Sequence, residues 1–380
     1  MSESIRKLYI EPTSRCNLNC AMCFRHTWVG ESTGDLPYEV FARVLADPCL
    51  DGCATVLFGG MGEPMVHPRL LDMVAAAKGR GCRVELLSNG TLLTQQMSQA
   101  LMDAGLDELW LSIDGLDEGE GTGGHGGQIS LVRRNLDKFN QLRALRAARG
   151  QGQVGLGLTY VLMKSNVSQL KALPDFAKLM FAQHVNISHV LPNTAEMERE
   201  LLYESLFHKH VNTGAKTPPP DIWGAPPKIT LPPLDLELPQ ARDGLAAVLD
   251  ADCPLEYSCQ PVYRKRQYCK FVEEGNVFVR WDGDVSPCMG LLHSATVYLA
   301  GQRRTIWHHA FGNVKGQPLG EIWAGAEYAA FRERVRKFDF SPCIECGGCE
   351  RREENREDCI GSPAPTCGAC LWSEGILFCP

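Results

Sequence analysis

The placement of cysteine constrains this chain more than any other feature. Its 380 residues carry 17 cysteines, an odd number, and most of them fall in tight groups. Cys16, Cys20 and Cys23 stand together in EPTSRCNLNCAMCFR, and eleven more lie from Cys253 onward. A reducing compartment keeps such thiols unpaired, and grouped thiols there point to metal ligation rather than disulfides. Cys49, Cys53 and Cys82 are spaced singly, and single cysteines pack in cores as small hydrophobes. The opening MSESIRKLYIEP has no apolar stretch like that of a signal peptide, and no apolar run is long enough to cross a bilayer. A cytoplasmic, soluble protein is expected. The net charge of -7 argues against a nucleic-acid or anionic-membrane surface as the main function.

Apolar periodicity organises the first half. Short strand-like runs at Leu8–Ile10, Thr55–Phe58, Arg83–Leu87, Leu109–Ile113, Gly155–Val161 and Val185–His189 alternate with stretches of helical period. Four of those stretches are Pro37–Ala46, Pro68–Lys78, Gln95–Ala104 and Ser130–Ala148. Six βα units in series predict parallel strands with right-handed helical crossovers, and six fall short of a closed eight-fold barrel. The expected architecture is therefore α/β, a partial (β/α)6 barrel over residues 1–210. Residues 211–240 hold eight prolines and no helical period, so 211–250 reads as a proline-rich connector. From 251 to 380 cysteine and glycine rise and apolar periodicity fades, which predicts a small domain that builds no large core and is stabilised by metal crosslinks.

The spacing C-x3-C-x2-C directly follows the first strand. Three thiolates on one short loop can each hold an iron of a four-iron, four-sulfur cluster and leave the fourth iron open. A structural zinc would need a fourth ligand, and none sits at a matching offset. Three more motifs close successive strands. Gly59-Gly60-Met61-Gly62-Glu63-Pro64 follows the second, Ser88-Asn89-Gly90-Thr91 the third, and Ser112-Ile113-Asp114-Gly115 the fourth. Each alone is a turn signal, but together they line the face where parallel barrels assemble active sites.

This ordered set resembles the radical S-adenosylmethionine (SAM) superfamily. The resemblance implies that Cys16, Cys20 and Cys23 hold a SAM-cleaving 4Fe-4S cluster. It further implies that Gly60, Gly62 and Glu63 receive the methionyl group of SAM, and that Ser88, Asn89, Ser112 and Asp114 contact its ribose. The sequence departs from the family's aromatic residue before the third cysteine: Met22 stands there, with Phe24 one step beyond. Gly121-Thr122-Gly123-Gly124-His125-Gly126 fits a dinucleotide fingerprint in letters only. It begins well past the strand end, with no acidic residue at the required distance, so a glycine loop over the mouth is expected.

Farther along, Cys269, Gly283 and Cys288 follow C-x13-G-x4-C, and Cys343, Cys346, Cys349, Cys359, Cys367, Cys370 and Cys379 come after. This is similar to the SPASM extension, which implies two auxiliary iron–sulfur clusters, with Cys253 and Cys259 upstream as further ligands. The pairs Cys343/Cys346 and Cys367/Cys370 also meet the spacing of a zinc ribbon, the competing reading. The aspartate of peptide-oxidising sulfatase maturases is replaced by Met289. The layout near NREDC and PTCGACLW is similar to maturases of tungsten-cofactor aldehyde oxidoreductases. The resemblance implies a ferredoxin- or flavodoxin-like electron donor and a protein or peptide substrate, a tungstopterin oxidoreductase among them. A ribosomal-peptide modifying enzyme is the rival within this class. A non-enzymatic iron–sulfur electron carrier is the rival outside it, and would not need the Gly-Glu and ribose motifs.

Overall fold

The computed structural model describes residues 4–116, 128–202, 227–236, 238–251, 253–257, 268–299, 301–343 and 349–380. The glycine loop at 121–126, Cys259 and Cys346 lie outside them.

The chain opens with β1 (Lys7–Ile10), α1 (Tyr38–Leu45), β2 (Thr55–Phe58), α2 (Leu70–Gly79), β3 (Arg83–Ser88), α3 (Gln95–Ala104) and β4 (Glu108–Ile113). It continues with α4 (Ile129–Ala148), β5 (Gly155–Leu162), α5 (Leu173–Leu179), β6 (His184–His189) and the short α6 (Ala195–Glu198). All six expected strands are present and pair in parallel, in register Leu8↔Val56↔Val84 and Leu109↔Leu156. The connecting helices have ordinary causes. In α3, Thr94 caps the start by accepting from the Met97 N–H, and Gly105 ends it in a left-handed conformation.

Strand alternation sorts the apolar residues onto two faces. Leu8, Ile10, Val56, Phe58, Val84 and Leu86 join the large cluster under the helices. Tyr9, Leu57 and Phe278 point the other way and plug the barrel interior, with Tyr9 stacked on Phe278 at 4.1 Å. Cys53 and Cys82 are buried in the large cluster and Cys49 packs at its edge, as expected of single cysteines.

The sheet runs on past six strands. After β6 come β7 (Lys228–Leu231), α7 (Pro239–Asp250) and β8 (Leu255–Tyr257), so part of the proline-rich stretch is sheet and helix. Pro227, Pro232 and Pro233 flank the short β7 rather than interrupt it, and Pro239 occupies the first turn of α7, where no N–H is required. Then α8 (Lys270–Glu273) and β9 (Asn276–Val279) follow, β9 pairing in parallel with β1 and carrying β10 (Val285–Ser286) antiparallel on its far side. The ten-stranded sheet ends at β10 and β8 and does not close. A separate hairpin, β11 (Ala295–Leu299) with β12 (Gln302–Ile306), precedes α9 (Leu319–Ala324) and α10 (Ala326–Lys337).

The C-terminal part departs from expectation in one respect. It does contribute apolar core: Val277, Val279, Leu319, Trp323, Tyr328 and Phe331 belong to the same cluster as the barrel strands. The residues are too scattered for periodicity to reveal: they come from separate short elements that pack on the barrel and on one another, as Trp323 does on Tyr328. Among the described residues, no helix is long and apolar enough to cross a membrane.

Candidate active site and thiol groups

Cys16, Cys20 and Cys23 sit half-buried in the loop after β1. The loop is wound by its own backbone: the Cys23 N–H donates to Cys20 O at 2.9 Å and the His26 N–H to Cys23 O at 3.1 Å. The Leu18 N–H donates to Cys16 Sγ at 3.4 Å. Burial pushes the Cys20 thiol up to about 12, with Asp114, Cys23 and Cys16 adding to the rise. Burial raises Cys23 as well. Crowded thiols held neutral by their surroundings are a donor set that a cation would deprotonate. No three His, Cys, Asp or Glu side chains among the described residues are set to grip a single ion. A cubane takes one thiolate per iron, so its ligands need not converge on one point. The donor chemistry therefore fits a 4Fe-4S cluster.

The loops after β2 and β3 close onto this one. A Cβ on Gly62 would stand 2.2 Å from Thr13 O and 2.6 Å from Arg15 O, and the Glu63 N–H donates to Arg15 O at 2.8 Å. A Cβ on Gly60 would meet Glu11 Cγ at 2.6 Å. The space these glycines leave open is thus taken by the chain leading into Cys16. Glu63 is buried, and its carboxylate accepts from Ser88 Oγ at 2.9 Å, the Asn89 N–H at 2.8 Å and the Met65 N–H at 3.1 Å. It therefore staples the β2 loop to the end of β3, a role its place in the sequence does not announce. Ser112 lies half-buried on β4 opposite Thr159, and buried Asp114 is brought to the cysteine loop beside Cys20.

Sequence reasoning missed several of the residues that hold this arrangement. Asn17 donates to Thr91 Oγ1 at 2.8 Å and accepts from Asn89 Nδ2 at 3.0 Å, tying the cysteine loop to the SNGT motif. Asn89 Nδ2 also lies 3.8 Å from Cys16 Sγ. Asn135 on α4 donates to Gly90 O and Thr91 O, and Asn193 donates to Cys23 O at 2.8 Å. Asn89 was expected from its motif, the only available signal for Asn17 was its place inside the cysteine motif, and Asn135 and Asn193 had none.

The later cysteines form two groups. Cys269, Cys288, Cys367 and Cys370 stand near one another, and burial first, then their mutual charge, raises Cys269 to about 12 and lifts Cys288 and Cys367 well above the thiol range. Cys288, Cys367 and Cys370 line an open cavity together with Arg304, Gly290 and Trp372. Cys343, Cys349 and Cys359 make the second group, with Ser341 Oγ 2.9 Å from Cys359 Sγ. Gly283 explains the C-x13-G-x4-C spacing: it turns β9 into β10 at φ +90°, its N–H donating to Arg280 O. Cys379 packs inside the barrel beside Trp372, and Cys253 packs against the barrel core.

Comparison with known proteins matches residues 10–177 to the radical SAM superfamily and residues 269–350 to SPASM, an iron–sulfur cluster-binding domain. The chain is 31% identical over 385 residues to the tungsten-containing aldehyde ferredoxin oxidoreductase cofactor-modifying protein of Pyrococcus furiosus, covering 99% of this chain and 97% of that protein. It is 27% identical to a PqqA peptide cyclase of Granulibacter bethesdensis, covering 91% of this chain and 80% of that one. In three dimensions it is similar to Streptococcus suis SuiB bound to S-adenosylmethionine, with a TM-score of 0.58, 14% identity, and coverage of 90% and 71% of the two chains. It is also similar to anSMEcpe with bound AdoMet and Kp18Cys peptide, with a TM-score of 0.57, 16% identity, and coverage of 97% and 95%.

Proposed function

The chain belongs to the radical SAM superfamily and ends in a SPASM domain, and from that premise we propose how its residues divide the work. The family brings a 4Fe-4S cluster, SAM and auxiliary iron–sulfur clusters to an enzyme of this kind. Held by Cys16, Cys20 and Cys23, the first cluster would supply the one electron, taken from an external donor, that breaks the S–C5′ bond of SAM into methionine and a 5′-deoxyadenosyl radical. Residues 1–210 are the SAM-cleaving unit and 251–380 the auxiliary unit, joined through 211–250. Cys16, Cys20 and Cys23 hold the first cluster, and the loops carrying Gly60, Gly62, Glu63, Ser88, Asn89, Ser112 and Asp114 receive SAM. Convergence of these loops on the cysteine loop, through the Glu63 staple and the Asn17–Asn89 bridge, is the observation that carries this reading.

Cys269, Cys288, Cys367 and Cys370 hold one auxiliary cluster. Cys343, Cys349 and Cys359 hold the other with Cys346, so that Cys253, Cys259 and Cys379 stand outside the two sets of four. The reaction serves the maturation of a tungsten-cofactor oxidoreductase, since the relative that matches nearly end to end is named for that activity. A ferredoxin- or flavodoxin-like protein delivers the electrons. Modification of a peptide is the second reading, supported by the PqqA peptide cyclase relatives. The test is anaerobic incubation of reconstituted enzyme with dithionite, SAM and either an unmatured tungstopterin oxidoreductase or a short peptide. Stimulation of 5′-deoxyadenosine formation by the oxidoreductase alone supports the first reading; stimulation by the peptide alone selects the second.

A further inference from the structure

His293 lies five residues past Cys288, on the approach to β11, and its side chain is fully buried. Its Nε2 stands 2.9 and 3.0 Å from the two oxygens of Glu11, and its Nδ1 stands 3.0 Å from Glu31 Oε2. Ionised carboxylates only accept, so both ring nitrogens must donate and the ring must be an imidazolium. Trp28 stacks on that cation with centroids 4.3 Å apart. Burial alone would push His293 down, but Glu11 and Glu31 push it up to about 9. Around it, the Val29 N–H donates to Ser294 O and Thr27 Oγ1 to Thr296 O, so the strand entering β11 is laced to the tail of the cysteine loop.

Glu11 carries the connection inward. It sits one residue past β1, in contact with Gly60, and its Oε1 accepts the Met61 N–H at 2.9 Å. A buried carboxylate keeps its charge only beside a cation, and Arg280 is bonded to Glu31, Asp282 and Leu292 O instead. The cation that pairs with Glu11 while it holds the Met61 amide is therefore His293.

We propose that His293, through Glu11, is a positioning residue of the auxiliary unit that fixes the Gly60–Glu63 loop for SAM. This rests on the reading of that loop as the SAM-receiving one. Loss of the cation leaves Glu11 as an unpaired buried charge, so it turns away from this pocket and frees the Met61 amide.

The test measures SAM affinity in anaerobically reconstituted protein, by the change SAM makes in the electron paramagnetic resonance signal of the reduced first cluster. His293→Gln should bind SAM roughly tenfold more weakly while keeping its auxiliary iron. The double variant Glu11→Gln/His293→Gln should recover near-wild-type affinity, because a neutral amide still accepts from Met61 and needs no cation. A merely structural role would lower the melting temperature of both variants and leave SAM affinity unmoved. Should His293→Gln not accumulate, the double variant is compared with Glu11→Ala/His293→Gln, which should bind more weakly by a similar factor. Equal affinity within that pair, or wild-type affinity in His293→Gln, overturns the proposal. Wild-type protein that binds no SAM at all would instead overturn the assignment of the loop.

Discussion

The two thiol-bearing regions are built in opposite ways. The first gathers its ligands from eight consecutive positions, Cys16 to Cys23, and a lattice of polar side chains on neighbouring loops holds them. The second draws Cys269, Cys288, Cys367 and Cys370 from segments about a hundred residues apart and sets them, half-buried, against apolar side chains. A short loop needs only a fixed backbone to present three thiolates. A set assembled across the fold needs the fold to be right first, and in return its metal crosslinks the chain. The first site should therefore lose function without losing structure, and the second should lose both.

The largest effect is expected at the second group. Changing Cys367 and Cys370 together to Ala should remove about four irons and markedly lower the unfolding temperature, since metal–thiolate bonds there tie α8, the β9–β10 hairpin and the C-terminal turn together. Iron analysis and thermal unfolding check it. An unchanged melting temperature would break the comparison by showing that this group is as local in its effect as the first.

Glu63→Gln should be smaller in iron and larger in ligand. The carboxylate accepts from Ser88, Asn89 and Met65, and a charge-assisted bond is worth about 1.5–3 kcal/mol. SAM affinity should fall by about one order of magnitude with the cluster intact, because the β2 and β3 loops lose their staple. Unchanged SAM binding, measured by equilibrium titration, would remove Glu63 from the site.

Stability should also depend on pH through His293. The group is raised to about 9 in the fold, so its contribution is complete below the ordinary imidazole value and is lost as pH rises through about 9. Glu11 and Glu31 face it, and Arg280 binds Glu31 behind it; His308, which faces Arg280 and Asp284, is pushed down to about 4, by burial first, and stays neutral through that window. Wild-type melting temperature should fall between pH values of about 7 and 9, and His293→Gln should flatten that part of the curve. The smallest effect is expected of Asn17→Ala, which removes two neutral hydrogen bonds worth about 1 kcal/mol each. It should weaken SAM binding severalfold without changing iron content.

What could be read in the sequence follows the same division. The six strands and the loop motifs were legible because apolar runs and glycine punctuation are local signals. β7, α7 and β9 were obscured by prolines and by cysteine-rich surroundings, although they extend the same sheet. The four-thiol group could not be read from spacing, since Cys367 and Cys370 lie closer in sequence to Cys359 than to their spatial partners Cys269 and Cys288. Asn135, Asn193 and His293 carry no motif; each matters through a partner far along the chain, which no local pattern records.

The most direct test of the account is a single preparation in which Cys16, Cys20 and Cys23 are all changed to Ala and the protein is reconstituted anaerobically. The account predicts a brown protein with about eight irons that forms no 5′-deoxyadenosine from SAM and dithionite. A variant that still cleaves SAM, or one that is colourless and carries zinc in place of iron, would contradict it.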